Sequence, residues 1–233
     1  MLVAEQSVFT SQDTLAQTER DVALGWSRST KPSVVDGKPP AEKKGEAMSA
    51  RETFLTDIKE IRRRAREHLS DGAVTQNYGG KVDDAIALLN HAVATEIVCI
   101  LRYKFHAVCA TGLASKAVKE EFAQHAKEEE EHLDLLAERI NQLGGKPNLN
   151  PEGVGSRAAS QYAEGENLVD MIKEDLVAER IAIETYREMV RYFGDRDPTT
   201  WVLLERILAQ EEEHANDMHD LLVSHEGRPM LDK

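Results

Sequence analysis

The chain has 233 residues, 41% hydrophobic and 5% aromatic, enough to bury one good core as one domain plus an appendage. A formal charge of −13 argues against a general polyanion binder, since nucleic acids and anionic membranes select clustered Lys and Arg, whereas acidic surfaces attract divalent cations. Cys99 and Cys109 lack CxxC spacing, which excludes a zinc ribbon, a rubredoxin-like module and a disulfide framework.

In chain order, residues 1–30 lack the basic-then-apolar order of a signal peptide, and no apolar run is read as reaching the roughly 18–20 residues of a membrane span. A soluble, cytoplasmic protein is expected. Residues 1–47 mix small polar residues with Pro32, Pro39 and Pro40 and are expected to be a disordered arm. Residues 48–80 read as an extra helix and loop, with Ser49 as N-cap and a stripe of Phe54, Ile58, Ile61, Ala65 and Leu69. Arg62, Arg63, Arg64 and Arg66 read as a solvated face pairing with the acidic remainder, in preference to a nucleic-acid patch.

Four longer helices follow within 81–226. The first runs from about Lys81 to Thr111, striped by Leu89, Val93, Glu96, Ile100 and Tyr103. The second runs from about Ser115 to Leu143, carrying Phe122, His125, Glu129, His132 and Leu136 on one face, with Gly144 and Gly145 as its stop. A loop at 146–165 is long enough for a crossover between parallel neighbours. The third helix, about Glu166 to Phe193, aligns Ile172, Leu176, Glu179, Ile183 and Tyr186. Asp197 and Pro198 start the last as N-cap and first-turn proline, and its stripe includes Leu208, Glu211, His214 and Met218.

The chemistry lies in a duplication. Glu129-Glu130-Glu131-His132 returns as Glu211-Glu212-Glu213-His214, and E-x-x-x-I-x-x-Y occurs at Glu96–Tyr103 and again at Glu179–Tyr186. Within each ExxH the Glu and His share one helix face, about 5–6 Å apart at Cβ. A lone ExxH is weak evidence, common on exposed Glu-rich helices. Here two matches sit in register with two further glutamates on otherwise apolar stripes. Unpaired buried carboxylates cost several kcal/mol, so protonation or bound cations must compensate, and six donor groups suit two divalent ions.

Two carboxylate helices plus two ExxH helices resemble the four-helix bundle of the ferritin-like superfamily, and bacterioferritins within it. The resemblance covers about 81–225 and rests on Glu96, Tyr103, Glu129, His132, Glu179, Glu211 and His214. It implies an all-α bundle with a long crossover, preceded here by an extra N-terminal helix. It further implies two iron ions per subunit: Glu129 and Glu211 bridge them, Glu96 and His132 complete one, and Glu179 and His214 the other. Tyr103 stands beside the site as hydrogen-bond donor or electron source. The implied activity is a ferroxidase: O2 or H2O2 takes electrons from Fe(II), for iron storage or detoxification in a homo-oligomer. Glu129, Glu211 and Tyr103 carry the oxidation in this reading.

Departures from the family pattern shape further expectations. Glu130 stands where bacterioferritins place a haem-ligating methionine, so haem is not expected, and only 19 residues follow His214, too few for the short fifth helix of large shells. Alternative readings are a di-metal redox enzyme, such as a peroxidase, manganese catalase or oxygenase, and a metal-free helical module. His125 reads as an extra or entry ligand or as a core histidine, and Cys99 as small core packing. His91, His106 and His219 read as interface or surface groups, and Glu128, Glu130, Glu131, Glu212 and Glu213 as solvated.

Overall fold

The computed structural model describes residues 56–112 and 115–226, all helix, turn and loop with no strand among them. Helix α1 spans Ile58–Arg64, α2 Val82–Cys109, α3 Ser115–Gln142, α4 Val154–Arg157, α5 Leu168–Phe193 and α6 Pro198–Glu226. The expected arm 1–47, the Ser49 cap and Phe54 lie outside the described residues.

α1 is shorter than the stripe suggests. It starts at Asp57, whose carboxylate accepts from Lys59 N at 2.7 Å, and ends at Ala65, well before Leu69. Ile58 is 56% exposed, Ile61 45% and Leu69 78%, so α1 buries none of its residues. Short helices draw their stability from packing, and one that buries none of its residues does not extend.

The four long helices pair as two hairpins, α2 on α3 and α5 on α6, with α4 lying on α2. Two apolar clusters fix their directions. One joins Leu89 and Val93 of early α2 to Leu136 and Ile140 of late α3, Met189 and Phe193 of late α5, and Leu204 and Ile207 of early α6. The other joins Tyr103 of late α2, Phe122 of early α3, Ile172 of early α5 and Met218 of late α6. α3 and α5 therefore run parallel, as the crossover requires.

Caps hold the helix ends in place. At the end of α3, Gly144 takes φ +78° while Gly144 N bonds Asn141 O and Gly145 N bonds Ile140 O at 2.9 Å each, a Schellman stop that favours glycine. Asn167 caps α5 by accepting from Val169 N and Asp170 N. Asp197 caps α6, accepting from Thr200 N at 3.0 Å, and its carboxylate also takes Arg139 Nη2 of α3 at 2.9 Å and Tyr78 Oη at 2.9 Å.

The crossover is tied down by side chains of α2. Asn90 Oδ1 accepts from Asn148 N at 2.7 Å, and Thr95 Oγ1 from Ala159 N at 2.9 Å. Arg102 donates to Gln161 O, and both Arg102 and His106 reach Asp175 of α5. His106 is fully buried, which corrects its reading as an interface or surface group: its second nitrogen meets Glu164 O at 3.0 Å. His91 and His219 are exposed, as expected.

One apolar window of α2 passes the length and composition test for a membrane span, correcting the sequence reading. The window is 56% buried inside the bundle and the helix carries Glu96 and Arg102 midway, so it serves as a core helix.

Candidate metal centre

Between the two apolar clusters lies a polar layer. Glu96 of α2, Glu129 and His132 of α3, Glu179 of α5, and Glu211 and His214 of α6 are each at most 1% exposed. Their donor atoms converge into two overlapping groups, Glu96, Glu129, His132 and Glu211 on one side and Glu129, Glu179, Glu211 and His214 on the other. In each group the donor atoms lie within 4.8 Å of one another. Glu129 and Glu211 belong to both.

Each histidine turns Nδ1 inward. His132 Nδ1 lies 3.1 Å from Glu129, 3.0 Å from Glu211 and 3.7 Å from Glu96. His214 Nδ1 lies 3.4 Å from Glu129 and 3.9 Å from both Glu179 and Glu211. The outer nitrogens are held across the bundle: His132 Nε2 meets Gln210 Oε1 at 3.1 Å, and His214 Nε2 meets Glu128 Oε2 at 2.9 Å. An outer partner of this kind fixes the ring and leaves the inner nitrogen free to ligate. Glu128 is thus a partner of the site rather than a solvated residue.

The tyrosines of the duplicated motif cross over. Tyr103 donates to Glu179 Oε1 and Tyr186 to Glu96 Oε1, so each half of the chain holds the other half's carboxylate. The repeat contains both tyrosines, but only Tyr103 was singled out for a role. Gln210 has no reading in the sequence analysis and Glu128 only that of a solvated residue, although each immediately precedes the first glutamate of an ExxH. That equal register was the available signal.

Without metal, protons hold the layer together: burial works to lower His132, but its bonds to Glu129, Glu211 and Glu96 carry it well above the ordinary imidazole range. Burial, then Glu129, pushes Glu96 well above the ordinary carboxylate range, and burial, then Glu129 and Glu211, does the same to Glu179. Burial and the Glu129 and Glu96 charges push Glu211 up to about 8. Burial also raises Glu129, but hydrogen bonds with Glu96, His132 and His214 outweigh it and leave that carboxyl below its usual range. Burial works to lower His214, yet Glu129 and Glu179 carry it up to about 9.

The donor set fits divalent metal. Glu96 Oε2, Glu129 Oε1, Glu179 Oε2, both oxygens of Glu211 and His214 Nδ1 are buried without a hydrogen-bond partner, and all belong to the converging groups. So many unsatisfied donors in one layer call for positive charge there. The buried guanidiniums among the described residues, Arg102 and Arg139, are committed to Asp175 and Asp197. Six carboxylate and imidazole groups can hold first-row divalent ions.

His125 is also buried, with its ring stacked on that of His214 at 4.1 Å between centroids, and burial followed by the His214 charge pulls it down to about 4. Cys99 is buried in α2 and Cys109 exposed, both as free thiols. Glu130 lies on the outer side, ion-paired with Lys104.

Residues 86–226, more than half of the chain, match the family model described as a ferritin-like domain. A DNA protection during starvation protein from Pyrococcus furiosus is 30% identical over 159 residues, covering 67% of this chain and 84% of that protein. A bacterioferritin from Mycobacterium leprae is 27% identical over 132 residues, covering 56% of this chain and 79% of that one. Among solved structures, a dodecameric thioferritin, the bacterioferritin-related protein of Bacteroides fragilis, is 30% identical with a TM-score of 0.60, covering 71% of this chain and 94% of that one. The chain belongs to the ferritin-like family, alongside relatives named bacterioferritin and Dps.

Proposed function

We propose that the protein oxidises Fe(II) at a di-iron centre within each subunit, for iron storage or detoxification. The observation that carries this reading is the convergence of Glu96, Glu129, His132, Glu179, Glu211 and His214 with their buried oxygens unsatisfied. Glu129 and Glu211, common to both groups, would serve both ions, with Glu96 and His132 holding one and Glu179 and His214 the other. Fe(II) is the substrate: two ions give one electron each, and O2 with two protons becomes H2O2, or H2O2 with two protons becomes two waters.

The protein's part is to hold the ions and manage protons. Carboxyls and imidazoles that share protons in the metal-free state give them up as ions bind. Tyr103, bonded to Glu179 and 3.2 Å from His125 Nδ1, is placed to hold that ligand and to supply an electron or proton. Residues 81–226 are the metal-binding bundle and 48–80 an appended segment. A homo-oligomer is the working assembly, as in the dodecameric relative. Two free thiols suit a reducing cytoplasm.

The test is aerobic Fe(II) addition to metal-free protein, following absorbance and the iron retained per subunit through gel filtration. Rapid oxidation with many irons retained per subunit supports storage. Two retained irons with peroxide turnover would favour a di-metal redox enzyme instead. Oxidation no faster than in buffer would sink the proposal.

A further inference from the structure

One group of ligating side chains lies just outside the six. His125 sits on α3 one turn before Glu129 and is 1% exposed. Its Nδ1 is 3.2 Å from Tyr103 Oη, and Tyr103 gives its single proton to Glu179. With that proton committed, the tyrosine oxygen can only accept from His125, so Nδ1 carries the ring proton and Nε2 keeps a lone pair.

That lone pair has no hydrogen-bond partner among the described residues. It faces Glu121 Oε1 at 3.4 Å and Asp217 Oδ2 at 3.5 Å, and the three donor atoms lie within 4.8 Å of one another. Donor atoms about 2.0–2.2 Å from a first-row ion sit roughly 3–3.5 Å apart, so the two edges from Nε2 already have the required length. Glu121 lies four residues before His125 on α3, and Asp217 three after His214 on α6, which continues the same two ligand faces by one turn. The Glu121 and Asp217 side chains are 39% and 40% exposed, so the group opens to solvent through its carboxylates.

We propose that Glu121, His125 and Asp217 form a third divalent-cation site, one histidine layer outside the di-metal centre. One imidazole with two carboxylates selects Fe(II), Mn(II), Co(II) or Zn(II) over the harder Mg(II) and Ca(II). Its role, staging Fe(II) before transfer inward past His214, rests on the proposed ferroxidase; the binding of an ion does not.

Zn(II), which has no redox chemistry, is the probe. Zinc bound per full-length chain is measured by equilibrium dialysis, and its positions by anomalous scattering from zinc-loaded crystals. Three variants are compared with wild type: Glu121→Ala/Asp217→Ala, Glu129→Ala, and all three changes together. Three zinc ions in wild type, falling to two in the Glu121/Asp217 variant with loss of the anomalous peak at His125 Nε2, would support the site. Two ions in wild type, unchanged in that variant but lost in Glu129→Ala, would overturn it and leave the di-metal reading standing. One ion that survives Glu129→Ala and vanishes in the Glu121/Asp217 and triple variants would support the site while removing the di-metal centre.

Discussion

Tyr186 on α5 donates its hydroxyl proton to Glu96 on α2, and Tyr103 on α2 returns the same bond to Glu179 on α5. All four side chains are buried. Each tyrosine neutralises part of a ligand's charge and fixes its rotamer, so Tyr186→Phe leaves Glu96 Oε1 buried and unpaired. The metal-free variant is expected to lose about 1–3 kcal/mol of stability. Metal affinity should fall about 10–100-fold at the Glu96 and His132 position, as for other lost outer partners. Tyr103→Phe should show the same loss at Glu179 and His214, with slower oxidation as well. Urea melts and Zn(II) titrations of the two variants check this; unchanged affinity in both would remove the tyrosines from the site.

The metal-free protein should become less stable as pH rises. Glu211, pushed up to about 8 by burial and by Glu129 and Glu96, keeps its proton in the folded state after the unfolded chain has lost it near 4.5. Between those values the native state binds the extra proton, so stability falls with increasing pH. His214 adds the same sign: its bond to Glu129 contributes fully below 6.5 and is lost as pH passes about 9. Thermal melts in chelator should therefore show Tm falling from about pH 6 to about pH 9 by an amount equivalent to a few kcal/mol. Zinc-loaded protein should instead gain stability over that range, since metal and protons compete for the same atoms. A rising Tm in chelator would contradict this assignment of protons.

The centre was legible where a helix repeats its own period. The four glutamates, two histidines and Tyr103 sit on stripes at steps of three and four, and duplication doubled each signal. Contacts across the bundle were not legible, because no periodicity links Gln210 to His132 or Glu128 to His214. Arg102 and His106, with their α5 partner Asp175, escaped for a related reason: the face of α2 that carries the arginine and the histidine packs on the crossover and on α5, so α2 is buried more widely than one stripe implies. α1 shows the converse, a stripe with the right spacing that buries none of its residues.

The two metal positions should differ in affinity. His214 leans on a carboxylate, Glu128, and His132 on an amide, Gln210, and an anionic outer partner makes an imidazole a stronger ligand than an amide partner does. Glu128→Gln is expected to weaken the His214 position about 10-fold or more and to bring the two binding steps together. Gln210→Glu should strengthen the other position. Calorimetric Zn(II) titration resolves the steps, and identical isotherms for wild type and Glu128→Gln would show that the outer carboxylate is inert.

Glu129 and Glu211 occupy matching places in the duplication but should not respond alike to mutation. Both stand in both donor groups, so Glu129→Gln and Glu211→Gln should each abolish rapid Fe(II) oxidation. In the metal-free state their duties diverge. Glu129 is the anion of the layer, hydrogen-bonded to His132 Nδ1 at 3.1 Å and 3.4 Å from His214 Nδ1. Glu211 has His132 Nδ1 3.0 Å from Oε1 but no well-aligned hydrogen bond through either oxygen, and burial with the Glu129 and Glu96 charges leaves it protonated at neutral pH. Removing the Glu129 charge strands buried imidazolium without its counterion, a loss of about 3–5 kcal/mol. An amide for an already neutral Glu211 thins the repulsion and costs nothing comparable. Metal-free Glu211→Gln should therefore melt no lower than wild type, and Glu129→Gln clearly lower. Paired melts in chelator, beside stopped-flow oxidation of each variant, measure both halves of the prediction. Equal melting of the two variants would mean the layer's charge is shared differently, and wild-type oxidation by either would mean that the site lies elsewhere.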